Sequence, residues 1–555
     1  MIKKDKKNKA WVQRFFSGAG MLALCGIIAK MIGAMYKIPL TGILRAEGMG
    51  LYQLVFPFYV VLLTISSGGL PVAISKIVSE RMADNDKKGA TRVLWAAFFS
   101  LSIIGSLGSL IMLLFRNQIA AAQGNYLAAI AYVGIAPSVL IVALISCFRG
   151  YFQGRQNMLP TAVSQLIEQG IKLIAGMVGA TYMMRYGLEW AVFGALVGVS
   201  LSELVALLFL VVAYYVVQKR RKNKEKQSNA NGNEDLLYAR SMLTEAASEV
   251  EPVLPTAPVS SPKTFSAAQI YKRIYAVAIP VTLGALVIPI TQVIDSLLII
   301  NLLTHSGQTI REATSAYGLL AGPVSALVNM PAVLSMSIAM ALLPRISRLV
   351  AQKKDVSQAT TKAFKYSMLS GAPFFALFVA LGTPILRLLF RNALNPDMVE
   401  LGGFLLCFAG AYVIFVSFLQ PAAAVLQGVG KAYVPVVNLF IGAAVKALGT
   451  VILLPIIGIL GAVLATLMCY MVTAFLDTIA IRRYVKNSKG LLAAFLLPVT
   501  GSILAAVVTK LAFWLADGHM PSIIALGVAG LSGIIVYLGF LLIVRYIRWD
   551  EWRRI

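Results

Sequence analysis

The sequence predicts an all-α polytopic membrane protein: fourteen transmembrane helices, arranged as two six-helix lobes in a parallel repeat plus two C-terminal helices. Three observations carry this. Of the 555 residues, 59% are apolar and the mean hydropathy is +0.80, far from the composition of a globular domain. Fourteen segments reach the length of about 20 apolar residues that a helix needs to cross a bilayer. Gln153–Lys172 (QGRQNMLPTAVSQLIEQGIK) returns as Gln427–Lys446 (QGVGKAYVPVVNLFIGAAVK), with Gln-Gly opening both copies and lysine closing both.

The spans expected are 16–43, 51–78, 93–115, 126–148, 160–184, 190–217, 270–303, 316–343, 363–390, 400–427, 433–456, 459–481, 490–515 and 521–546. Residues 1–15 form a basic tail, and the run Lys3–Lys9 is followed by a span too long and too charged for a signal-peptide core. The net charge is +26, but its placement excludes a nucleic-acid partner. Only Arg45, Arg116, Arg185, Arg311, Arg387 and Arg391 fall in one set of alternating loops. Lys30, Lys37, Lys76, Lys172, Lys446 and Lys510 fall in spans, and the remaining basic residues crowd the opposite loops and tails. That asymmetry places both termini in the cytoplasm. Cys25, Cys147, Cys407 and Cys469 lie in apolar runs without CxxC spacing, so neither a disulfide nor a metal site is expected. His305 and His519 fall in loops, which excludes a histidine relay within the membrane.

The first span (N-lobe, 16–217) carries Lys30 and Lys37 seven residues apart on one helix face. Gly26 and Gly33 share that spacing and allow a close helix neighbour. In the second span Ser66-Ser67-Gly68-Gly69 sits between Pro57 and Pro71, a weakened helix tolerated only against protein or a wet cavity. Glu168 and Lys172 in the fifth span stand at i, i+4, a spacing suited to pairing. Residues 218–269, basic and then polar with four prolines, are expected to be a flexible cytoplasmic linker. The C-lobe, 270–482, opens with Asp295, and its second span holds Asn329 between Pro323 and Pro331. Lys76 meets Arg345, Asp86 meets Asp355 and Ala90-Thr91 meets Ala359-Thr360 at a constant offset. Equal units in one orientation are parallel repeats. Residues 490–546 (spans 13 and 14) have no counterpart, and 547–555 form a cytoplasmic tail.

A lysine or aspartate at the bilayer centre costs about 2.5–3.5 kcal/mol, so such residues mark cavities or partners. Lys76 and Lys510 lie near span ends and can snorkel. Lys30, Lys37, Lys172 and Lys446 lie deeper and are expected to share a hydrated cavity. Glu168 and Asp295 are the carboxylates available to neutralise them, Asp295 also being the candidate for coupling to Na⁺ or H⁺. Asn329 reads as an interhelical hydrogen bond or a cavity contact. More lysine than carboxylate suits an anionic substrate. No GxxxxGK[ST] motif is present, so no cofactor is expected.

Gly33–Leu40 (GAMYKIPL), Glu47–Tyr52 (EGMGLY) and Leu342–Arg348 (LLPRISR), with the repeat and the appended pair, resemble the multidrug/oligosaccharidyl-lipid/polysaccharide exporter superfamily. The likeness is to its stage V sporulation protein B-like branch, related to lipid II flippases. Their first-span pattern is matched at Lys30 and Gly33, while Tyr36 stands at the second basic position and Lys37 at the acidic one. The resemblance implies two lobes around a central cavity and a lipid-tail groove at spans 13 and 14. It also implies a flippase of the bacterial cytoplasmic membrane, not an enzyme. Its cargo would be an anionic lipid-linked oligosaccharide, an undecaprenyl-pyrophosphate-linked precursor such as peptidoglycan lipid II. Partners would be membrane lipids and cell-wall synthesis proteins. An ion-coupled exporter of another polysaccharide lipid or of drugs is the alternative, and a non-transporting scaffold the third.

Overall fold

The computed structural model describes residues 19–84, 86–246, 267–485 and 490–546. Seventeen α-helices run through them: α1 (Ala19–Met35), α2 (Lys37–Ser67), α3 (Leu70–Ala83), α4 (Lys87–Leu114), α5 (Arg116–Ala122), α6 (Ala128–Gly154), α7 (Leu159–Met183) and α8 (Leu188–Ala246) in the amino-terminal half. The rest are α9 (Ala267–His305), α10 (Ile310–Leu319), α11 (Ser325–Ala351), α12 (Ser357–Phe390), α13 (Pro396–Gly428), α14 (Tyr433–Ile457), α15 (Leu460–Tyr484), α16 (Gly490–Ala516) and α17 (Ser522–Ile543). Among the described residues there is no strand, only an isolated bridge between Asp517 and Met520. Eleven stretches are long and apolar enough to cross a membrane. The multi-span helical class is as predicted, and the figure of fourteen remains an expectation.

The punctuation is local and legible. Prolines stand in the first turn of α3, α7 and α13, where their missing N–H costs nothing. Asp86 caps α4 by accepting from Gly89 N at 2.7 Å. Its repeat partner Asp355 accepts from Ser357 N at 2.9 Å and Ser357 Oγ at 2.7 Å just before α12, which holds its carboxyl below the usual range. The offset that pairs these aspartates in sequence thus pairs two carboxylates that accept backbone N–H groups at helix starts. Arg45, at φ 59°, breaks α2 within its length.

The structure bears on three expectations. The boundary between α1 and α2 at Tyr36 does not interrupt the first span: Tyr36 keeps right-handed α backbone, and Tyr36 N→Ile32 O at 2.8 Å and Leu40 N→Tyr36 O at 3.2 Å carry the helical bonding through it. The weakened Ser66–Gly69 stretch does break, and the cause is packing. A Cβ on Gly69 would sit 2.2 Å from Ala278 O, while Gly69 N donates to Thr282 Oγ1 of α9 at 3.0 Å. The expected linker begins as helix: α8 continues to Ala246 through a stretch in which Lys, Arg, Glu, Leu and Ala, residues of good helix propensity, recur. Residues 247–266 lie outside the described residues, as do both tails.

The two halves meet on either side of a central cavity. Toward the end expected outside, α2 and α10 cross at van der Waals distance, since a Cβ on Gly318 would lie 2.1 Å from Ala46 O. Arg311 Nε–Glu47 Oε2 at 2.9 Å, Asn125 Nδ2–Thr314 Oγ1 at 2.8 Å and Asn301 Nδ2–Ala122 O at 2.8 Å tie this end. Arg45 also donates to Asn392 O. At the other end α9 lies on α3 through Gly69 and through Arg273–Glu80 at 3.7 Å. Helices α16 and α17 pack on each other and on α12.

Candidate functional site

Lys37, Asp295, Asn329 and Lys446 line a single cavity of about 330 Å³ between the halves. Four helices deliver them: α2, α9, α11 and α14. Gln53, Phe56, Tyr317, Tyr412 and Tyr470 complete a wall that is roughly half polar. Lys446, only 4% exposed, donates to Asp295 Oδ2 at 2.5 Å, so that lysine and that aspartate neutralise one another. Asn329 Nδ2 bonds Ser325 Oγ one turn back on its own helix. It is therefore a cavity residue and not the interhelical tie its sequence setting suggested.

Lys37 differs from the rest. Its Nζ donates to Ala321 O across the interface at 3.3 Å, and no carboxylate bridges it among the described residues. Ala321 lies in a π-helical turn, Leu320–Val324, which contains Pro323. Such turns leave a carbonyl out of the regular ladder and often mark functional sites.

Lys172 stands beside the cavity. Its Nζ lies 5.6 Å over the ring of Tyr36 and 5.7 Å over that of Phe56, which itself lines the cavity. The expected i, i+4 pair with Glu168 does not form. Glu168 accepts from Arg149 of α6 at 2.9 Å, and the same guanidinium donates through Nε to Ser164 Oγ at 3.1 Å. A planar fork with two acceptors outcompetes an i, i+4 contact worth about 0.2–0.5 kcal/mol. The side chain of Lys30 lies outside the described residues. Lys76 and Lys510 are exposed.

Two carboxylates escaped the sequence reading, which counted only Glu168 and Asp295 within spans. Glu203 of α8 is 4% exposed and accepts from Tyr59 Oη at 2.9 Å. Asp477 of α15 is 1% exposed and accepts from Asn438 Nδ2 at 2.7 Å. The signal was present: Glu203 and Asp477 are related by the same offset of 274 positions as Lys172 and Lys446, and so are Ser164 and Asn438. Arg149 was missed because it stands at the end of an apolar run and counts as a loop cation. All four cysteines are free.

Two packed helical halves around a charged cavity, each bearing a lysine and a carboxylate at repeat-related positions, define a multi-pass membrane transporter. A polysaccharide biosynthesis protein family model matches residues 15–239, and the MatE model matches 280–452. The chain is 26% identical to stage V sporulation protein B of Bacillus subtilis, over 98% of both chains. It is 25% identical to the lipid II flippase MurJ of the same organism, over 95% of this chain and 94% of that one. Among solved structures, a lipid II flippase MurJ in an inward closed conformation superposes with a TM-score of 0.65 at 15% identity, over 94% of this chain and 98% of that one. An inward-facing MATE-family transporter gives 0.64 at 16%, over 82% and 94%. Over nearly its whole length the chain is thus similar to polysaccharide-biosynthesis and MATE-type membrane proteins, and the named relatives and structural neighbours with an assigned role are transporters and flippases.

Proposed function

We propose that the chain is a flippase that moves an undecaprenyl-pyrophosphate-linked sugar precursor, foremost peptidoglycan lipid II, from the inner to the outer leaflet of the bacterial cytoplasmic membrane. The observation that carries this is Lys37, a cavity cation held among the described residues by a backbone carbonyl alone. An incoming pyrophosphate offers it far stronger charge-assisted hydrogen bonds than Ala321 does. Lys172, cushioned on aromatic rings, is the second cation free to turn toward the same anion, and Lys30 is a further candidate on its sequence position alone. Lys446 contributes only where the anion displaces Asp295. The present cavity is too small for a lipid-linked saccharide, so the halves part to admit it, and alternating access follows from rocking about their interface. An apolar cavity of about 150 Å³ between α12, α16 and α17, lined by Phe374, Leu377, Ile534 and Tyr537, suits an isoprenoid tail. Both termini and the stretch after α8 are placed in the cytoplasm on the charge asymmetry.

The match to MatE over 280–452 favours a second reading, ion-coupled export of another polysaccharide lipid or of drugs. Complementation of a bacterium depleted of its lipid II flippase separates the two. Growth supports the first reading, and drug resistance without growth supports the second.

A further inference from the structure

Glu203 lies in the amino-terminal half with one oxygen engaged and one idle. Its Oε1 accepts from Tyr59 of α2, while Oε2 is buried without a hydrogen-bond partner. The titratable or charged groups facing it among the described residues come from two helices. Tyr59 and Tyr52 come from α2, Glu168 and Lys172 from α7, and Ser138 of α6 adds a polar contact. Glu168 is already occupied by Arg149. Lys172 sits one turn from the close contact of α7 with α8 at Gly176 and Gly198, and its Nζ lies 5.7 Å over the Phe56 ring, itself 5.9 Å from the ring of Tyr59 that bonds Glu203; no salt bridge holds this lysine among the described residues.

A single lysine thus serves two anions, Glu203 and whatever enters the cavity. An isolated carboxylate in the bilayer interior is costly to keep charged, and it neutralises when its counter-charge leaves. We infer that Glu203 is a proton-binding site linked to the cavity: when an anionic cargo draws Lys172 away, Glu203 takes up one proton from solvent in its place. One O–H bond forms at Oε2 as one breaks in the hydronium ion or buffer acid that supplies the proton, and the Lys172 ammonium keeps its protons. Cargo release returns Lys172 to Glu203 and the proton to water. The carboxy-terminal half lacks this linkage, because its Lys446 is already locked to Asp295 and its Asp477 to Asn438.

This inference rests on the cavity being an anion site, and its test keeps the two apart. Farnesyl pyrophosphate, a water-soluble polyprenyl pyrophosphate, is titrated calorimetrically into the full-length protein in lipid nanodiscs. Buffers of different ionisation enthalpy report the protons taken up. The wild type should take up about one proton more per bound molecule than Glu203→Gln, and Glu203→Asp should keep the wild-type count. Wild-type affinity should fall as pH rises, by up to about tenfold per unit for one linked proton. Glu203→Gln should bind with a flat profile, at least as tightly at high pH. If Glu203→Gln does not fold, Tyr59→Phe replaces it. Losing the hydroxyl that stabilises the charged carboxylate should move the fall in affinity to higher pH, and an unmoved profile overturns the inference. Equal proton counts in wild type and Glu203→Gln overturn it while leaving the anion site standing. No binding to the wild type overturns both.

Discussion

The two halves each place a lysine and a carboxylate at positions related by an offset of 274, Lys172 and Glu203 in one and Lys446 and Asp477 in the other, and pair them differently. In the carboxy-terminal half Lys446 closes on Asp295 at 2.5 Å, and Asp477 is satisfied by Asn438. In the amino-terminal half Lys172 rests over Tyr36 and Phe56, while Glu203 keeps an oxygen without a partner. Arg149 causes much of the difference. It captures Glu168 from α6, and the residue 274 positions later is Ala423, so the other half has no equivalent. One lysine is thus held by a carboxylate, and the other rests on aromatic rings.

The largest expected effect comes from breaking the lock. Asp295→Asn strands the Lys446 ammonium, and removing one partner of a buried pair typically costs about 3–5 kcal/mol. Thermal unfolding in detergent should show a clearly lowered midpoint, and the double variant Asp295→Asn, Lys446→Gln should regain most of it. Lys172→Gln, its repeat counterpart, should leave the midpoint nearly unchanged and reduce transport instead. Equal destabilisation by both variants would erase the contrast between the halves.

Lys37→Gln comes next. Its only described tie is one hydrogen bond to Ala321 O, worth about 0.5–1.5 kcal/mol net. Membrane levels should therefore stay normal while complementation fails, with partial rescue by Lys37→Arg. Depletion of the Gln variant from the membrane would make Lys37 a structural residue.

How far sequence reasoning reached follows the same divide. The multi-span helical class was legible because apolar length acts locally, and the proline starts of α3, α7 and α13 follow the same local logic. Side-chain pairing was not. The i, i+4 spacing of Glu168 and Lys172 is a local cue, overruled by an arginine 19 positions upstream on another helix. Asp295 and Lys446 meet across 151 positions, and no periodicity encodes that. Glu203 and Asp477 were within reach, since the offset that exposed Lys172 and Lys446 also relates them.

A smaller effect is expected at the interface end tied by Glu47 and Arg311. Arg311 is 81% exposed, so the pair is worth at most about 1 kcal/mol. Glu47→Gln should leave stability unchanged within error. It should modestly increase labelling, by an impermeant thiol reagent, of a cysteine introduced at Gly42. The smallest effect should follow deletion of residues 247–266, which is expected to spare transport. Loss of transport with normal insertion would give that stretch a specific role.

The central claim is that Lys37 and Lys172 together hold the pyrophosphate of a lipid cargo during its passage. Its most direct measurement is the transfer of a fluorescent undecaprenyl-pyrophosphate-linked sugar between leaflets of proteoliposomes, comparing the wild type with Lys37→Gln, Lys172→Gln reconstituted to equal density. Transfer by the wild type and its loss in the folded double variant is the result predicted. Transfer at equal rates by both proteins would contradict it.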